Sequence, residues 1–253
     1  MLIPREHGAY GQLLFPLVSA LLIGRPAAGA YLLGAAAVAA FLAHESLLVV
    51  LGPRGSRAAR EQGRDARRSL SLFGGFCAVT GLVALLVLPR SALLSLVVPA
   101  LMAIAVGAVV LMHRERTTGG EVLVAIALAS VSLPVAVSGS VTRGAALTLF
   151  LVFASVFVTA TVAVRTLIGR VTKAGGPPAP VAAVVALSAV AALAGLAVAG
   201  YLSPVAPYAG LPMCAVALGL TAKPPSPKHL RAVGWTLVGA TALGAVMLVA
   251  GLA

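Results

Sequence analysis

Few residues in this chain can do chemistry. Six carboxylates and four histidines are spread over 253 residues, of which 60% are hydrophobic and 9% charged. His44 and Glu45, in FLAHESLLVVL, stand out because apolar residues flank them on both sides. Keeping a carboxylate inside a membrane costs on the order of 2.5–3.5 kcal/mol on insertion scales, so Glu45 should face a partner or a wet cavity. Two roles stay open for it: a base or ligand in a functional cavity, or an ion pair, for example with Arg165, that locks helices together. A second group opens the chain in IPREHGAY, where Arg5, Glu6 and His7 stand at the threshold of the first apolar run. Glu45, His7 and His44 are therefore the candidate catalytic residues, with a carboxylate or imidazole as general base. Adjacent helix positions point about 100° apart, so His44 and Glu45 cannot aim at one point unaided. Arg5, Glu6, Arg54, Glu121, Arg165 and Arg170 are the candidate substrate-binding residues, since guanidinium groups hold phosphate or carboxylate through paired hydrogen bonds.

Other chemistries have less support. No HxxxH, CxxC or HExxH spacing occurs, so a metal site would need distant helices, for example through His7, His44 and Glu45. Cys77 and Cys214 fall in separate apolar stretches and read as buried free thiols. Glu121 follows RTTGG at a helix start, where the helix dipole favours negative charge, so a stabilised helix start is as good a reading as a ligand role. His113 and His229 lie at the edges of apolar stretches and read as interfacial.

These residues must be positioned by membrane helices. The mean hydropathy is +1.08, which no ordinary water-soluble domain approaches. Spanning the hydrocarbon takes about 20 apolar helical residues, within roughly 17 to 25. Nine stretches qualify: 8–24, 29–51, 70–88, 91–112, 119–138, 144–164, 181–202, 204–222 and 232–252. They are continuously apolar and not alternating, which argues against a barrel. The expected fold is an all-α polytopic membrane protein, a single transmembrane helical domain over 1–253.

The net charge of +12 then speaks to orientation. All 18 Lys and Arg except Arg25, Arg90 and Arg143 fall on the side of the amino terminus, which makes that side cytoplasmic and sends the carboxyl terminus outward. Every carboxylate and histidine shares the cytoplasmic half. The expected location is the bacterial cytoplasmic (inner) membrane, crossed many times. The expected partners are membrane lipid and a lipid-like or anionic small molecule, not nucleic acid; oligomeric state has no signature here. Pro16 within the first span, and Arg25 with Pro26 beside the AGA tripeptide, argue against reading that span as a cleaved signal.

The two longest polar interruptions are 52–69 and 165–180. The first, RGSRAAREQGRDARRS, suits a short surface helix pairing Glu61 with Arg64 or Asp65 with Arg68, lying against lipid headgroups. The second ends in AGGPPAP, a flexible and then stiff linker. Ala191, Gly195 and Ala199 have the four-residue spacing that lets helices approach closely. Pro134 is placed to break the fifth span.

The segment PREHGAY resembles the opening motif, Pro-Arg/Lys-Glu-His-Gly-Ala and an aromatic, of the YwiC-like family of bacterial integral membrane proteins. GEVLVAIALAS, VRTLIGR and KHLRAVGW fall where that family has helix starts and ends, so the resemblance is expected to run through nearly the whole chain. It implies a membrane protein and no particular reaction. The layout of nine helices, with long cytoplasmic segments after the second and sixth, is also similar to UbiA-type intramembrane prenyltransferases. That resemblance implies aspartate-rich motifs holding Mg²⁺ and a prenyl diphosphate, and this chain departs from it there: VRTLIGRVTKAGG has no carboxylate. Mg²⁺ is not supported by these segments, and the cofactor, if any, stays unspecified. The enzyme reading is a transferase or lipid-modifying reaction on an amphipathic substrate. The rival reading is a non-enzymatic transporter or membrane assembly factor.

Overall fold

A computed structural model describes residues 7–172, 176–226 and 229–253, less the side chains at 7, 171 and 172. Twelve helices follow in order: α1 His7–Leu22, α2 Ala28–Leu51, α3 Gly55–Ser69, α4 Gly75–Val87, α5 Arg90–Ser95, α6 Val97–Leu111, α7 Thr118–Ser130, α8 Ser132–Ser138, α9 Arg143–Thr172, α10 Ala179–Val198, α11 Val205–Ala222 and α12 Leu230–Leu252. No strand occurs among the described residues. Among the described residues, eight helical stretches are long and apolar enough to cross a membrane, and α1 is a shorter apolar ninth. The chain is a multi-pass integral membrane protein.

The loops fix which ends lie together. At one end the Arg25 amide donates to the Gly139 carbonyl at 2.9 Å, and the Ser203 amide donates to Thr148 Oγ1 at 2.9 Å. Gly29 abuts Leu88, and Gly251 near the end of α12 abuts Val205. This end holds Arg25, Arg90 and Arg143. The opposite, basic end gathers the last turns of α2, the 113–117 loop, the end of α9 and the end of α11.

Helix α1 has 16 residues, about 24 Å at 1.5 Å per residue, against a hydrocarbon core of about 30 Å. It is nonetheless central. Leu13, Leu17, Ala20 and Ile23 recur at helical spacing and are buried, and α1 packs against α7, α8, α9 and α12.

Two spans are kinked, each three residues before a proline. The α5–α6 span breaks at Leu96 ahead of Pro99, and the α7–α8 span at Val131 ahead of Pro134. Proline lacks the amide that would bond four residues back, and its ring crowds that carbonyl. Leu96 (φ −63°, ψ −18°) and Val131 (φ −64°, ψ −25°) keep right-handed helical backbone, so the chain bends without unwinding. The buried hydroxyls of Ser130 and Ser132 donate to the carbonyls of Ala127 and Ala129, each at 2.7 Å, satisfying acceptors around the second kink.

Several expectations are corrected. The polar segment 52–69 is not a separate surface helix: α3 runs through a π turn at Leu70–Gly74 into α4, giving one helix of 33 residues. Glu61 pairs with Arg57 at 2.8 Å, one turn back, and not with Arg64. Residues 165–172 belong to α9, so the second polar interruption begins a turn or more later than hydropathy suggests. Ala191, Gly195 and Ala199 are exposed, and α10 packs instead through Ala182, Ala186 and Leu193. The close approach is elsewhere: a Cβ at Gly244 would lie 2.6 Å from the Ala209 carbonyl, so α11 and α12 cross there backbone to backbone. Cys214 is buried, but Cys77 is half-buried; both are free.

Candidate functional site

On α2, Phe41, His44 and Glu45 share one face by the i, i+3, i+4 rule. Phe41 packs against the main core and meets Tyr10 of α1 edge-on, with ring centroids 5.0 Å apart. Tyr10 therefore packs its ring on α2. The two helices run in opposite directions, so one turn from this contact toward the basic end reaches His7 on α1 and His44 with Glu45 on α2. Arg5, Glu6 and the side chain of His7 lie outside the described residues.

Glu45 has a local partner. After α2 the chain reverses at Gly52, whose φ of +97° is the left-handed conformation that suits glycine. The reversal brings Arg54 back onto Glu45: Nε donates to Oε1 at 2.9 Å and Nη2 to Oε2 at 2.6 Å. This is a two-bond fork, partly shielded on both sides, and stronger than a single contact.

A second ion pair lies across α7 and α9. Thr117 caps α7, accepting the Gly120 amide at 3.1 Å and donating its hydroxyl to the Arg114 carbonyl at 2.7 Å. The 113–117 loop folds so tightly over this first turn that a Cβ at Gly120 would lie 2.9 Å from Glu115 Cα. Glu121, in the same turn, receives Arg165: Nε donates to Oε2 at 2.6 Å, and Nη2 contacts Oε1. Nη2 also donates to the Arg116 carbonyl at 2.5 Å, so Arg165 joins α9, α7 and the loop. Arg170 makes a long hydrogen bond, 3.5 Å, to the Thr221 carbonyl at the end of α11.

The candidates thus divide into two forks, Glu45–Arg54 and Glu121–Arg165, and Glu45 does not meet Arg165. Away from the basic end, α8 packs against α2 and α5, and Ala84, Leu88 and Ala92 form a small cluster with Val137. At the basic end α2 has marginal contact at most with α7, and α4 with α6; α1 touches both α2 and α7. The level of its first residue follows from two registers. Tyr10 against Phe41 sets His7 level with His44. Gly24 abuts Gly139 on a span running the same way, and an equal count back from each sets His7 about level with Glu121. The backbone of His7 therefore stands at the depth of both forks.

Sequence reasoning passed over Glu115, whose Oε2 is buried and, among the described residues, without a hydrogen-bond partner, as are Ser46 Oγ and Thr166 Oγ1 beside Glu45 and Arg165. The TTGG segment was the available signal, because paired glycines mark tight packing at a helix start. Among the described residues no three of His, Cys, Asp and Glu come together as a metal-binding set. His113 and His229 are exposed, with His229 Nδ1 2.9 Å from Ser226 Oγ.

Compared with known families, residues 3–137 match the model described as YwiC-like protein. The match covers PREHGAY, both helices of the Glu45–Arg54 reversal, and Glu121. It stops before VRTLIGR and KHLRAVGW, so the resemblance is narrower than the sequence suggested. No curated protein and no solved structure matches the chain.

Proposed function

The chain belongs to the YwiC-like family, and from that premise we propose that it binds the anionic head of an amphipathic, lipid-like substrate at its basic end. The supporting observation is the pair of carboxylate–guanidinium forks at the basic end, with α1 packed against both α2 and α7, the helices that carry their carboxylates. In this reading Arg54 and Arg165 are preset by Glu45 and Glu121 to receive phosphate or carboxylate, and the substrate's tail lies among the helices. A carboxylate neutralised by a fork is a poor base, so Glu45 acts as a positioning residue, and His7 or His44 moves the proton in a transfer reaction. Arg170, at the end of α9, extends the positive mouth, and Arg5 and Glu6 remain proposed substrate-binding residues from sequence. The likeness to UbiA-type prenyltransferases is one of layout. The basic end faces the cytoplasm of a bacterium, by the positive-inside rule, and the helices form one domain. A carrier would use the same forks without turning over its ligand.

The test uses Glu45→Gln and Arg54→Gln, each checked for membrane insertion and thermal stability in detergent. Both variants are expected to fold, to fail to complement a deletion, and to lose a lipid that co-purifies with the parent in mass spectrometry. Parent-like complementation by well-folded Glu45→Gln would overturn the site.

A further inference from the structure

The arginines of α3 form a surface the proposed site does not use. Arg57, Arg60, Arg64, Arg67 and Arg68 recur at spacings of three, four, three and one, and at about 100° per residue they fall within a stripe roughly 100° wide. All five are exposed, whereas Ala66 and Ser69 on the opposite side are buried. Packing of α3 on α2 through those small residues fixes the stripe outward.

Covalent continuity then sets its height. The helix is unbroken from Gly55 to Val87, and its apolar part begins at Leu70. Arg68, Arg67 and Arg64 stand about 3, 4.5 and 9 Å from Leu70 along the axis, within reach of a headgroup layer about 5–8 Å deep. Arg57 stands about 20 Å away, beyond the layer and beyond a physiological Debye length of about 8 Å. Among the described residues Arg57 is paired with Glu61, and Arg64, Arg67 and Arg68 have no intramolecular ion pair.

We infer that Arg64, Arg67 and Arg68 form a binding site for anionic phospholipid headgroups on the outer surface of the α3–α4 helix, separate from the site between the two forks. The guanidinium groups donate paired hydrogen bonds to lipid phosphate, and their alkyl stems lie along the apolar surface that begins at Leu70. Two features set this apart from general positive charge: preference falls with distance from Leu70, and it is confined to one helix face.

The test places the full-length protein in lipid discs of phosphatidylcholine with a minor fraction of phosphatidylglycerol and measures which lipids stay bound on transfer to mild detergent. The parent should retain phosphatidylglycerol in preference. Arg64→Gln/Arg67→Gln/Arg68→Gln should reduce that preference at least about tenfold, Arg57→Gln should change it less than twofold, and the corresponding triple Lys variant should keep most of it. The Glu45→Gln variant should keep the preference, which separates this site from the functional one. Equal retention of both lipids by the parent, or equal loss from Arg57→Gln and the triple Gln variant, would overturn the inference.

Discussion

Arg165 takes Glu121 as its partner, and Glu45 takes Arg54, an exchange with a physical cause. Arg54 is nine residues from Glu45 across one glycine-based reversal, so closing that loop costs little entropy. Arg165 and Glu121 are 44 residues apart and meet only because α7 and α9 pack. Sequence could therefore name the charges while leaving the pairing open, since spacing says nothing about which helices become neighbours. The Arg165 fork predicts a separable effect for Arg165→Lys. Lysine keeps the charge but cannot hold both Glu121 oxygens and the Arg116 carbonyl in one plane. With both side chains still partly exposed, the expected loss is about 1–2 kcal/mol. It is read as a lower melting temperature in detergent, together with easier proteolysis in the 113–117 loop. Arg165→Lys melting with the parent, its loop equally protected, would show the fork to be incidental.

At the level of helices, hydropathy located every span to within a few residues, because a lipid-facing helix must be apolar along its length. It could not say where helices continue into water, since a polar helix beyond the membrane needs no apolar residues. The α3 extension and the last turns of α9 were hidden for that reason. The close helix crossing was hidden differently. Small residues permit approach without requiring it, and Ala191, Gly195 and Ala199 face outward while Gly244 carries the tight contact. Gly244→Ala would press its methyl group against the Ala209 carbonyl. A backbone oxygen cannot rotate away, so α11 and α12 must separate, at an expected cost of about 1–3 kcal/mol. Gly239→Ala is the control: nothing lies within 4 Å of a Cβ there, and exchanging a helical glycine for alanine should be neutral or stabilise by up to about 1 kcal/mol. Paired melting curves should therefore separate two substitutions five residues apart on one helix. Matching curves would mean that α11 and α12 can part at no cost.

For the whole molecule, the decisive quantity is whether the number of crossings is odd or even. Among the described residues eight helical stretches reach 18 residues and α1 falls short; without α1 as a crossing, the end of α12 would return to the side where α1 begins. Packing gives nine. Tyr10 meets Phe41 near the basic end of α2, while Gly24, just beyond α1, abuts Gly139 near the opposite end, so α1 passes from one side to the other despite its 16 residues. Its buried stripe against α7, α8, α9 and α12 offsets the short hydrophobic match, because protein surrounds that face and lipid meets only the rest. With the arginine-rich end inward, a phosphatase that is active only outside the cytoplasm should be active when fused after α12 and inactive when fused after α11. A reporter that fluoresces only when folded in the cytoplasm should show the reverse. The opposite pattern at both fusions would place the arginine-rich end outside, against the positive-inside rule. If both fusions instead reported the cytoplasm, α12 would not cross. If the pattern after α12 inverted only once α1 was deleted, α1 would be established as the ninth crossing, and its first residues would enter from the face where both ion pairs lie.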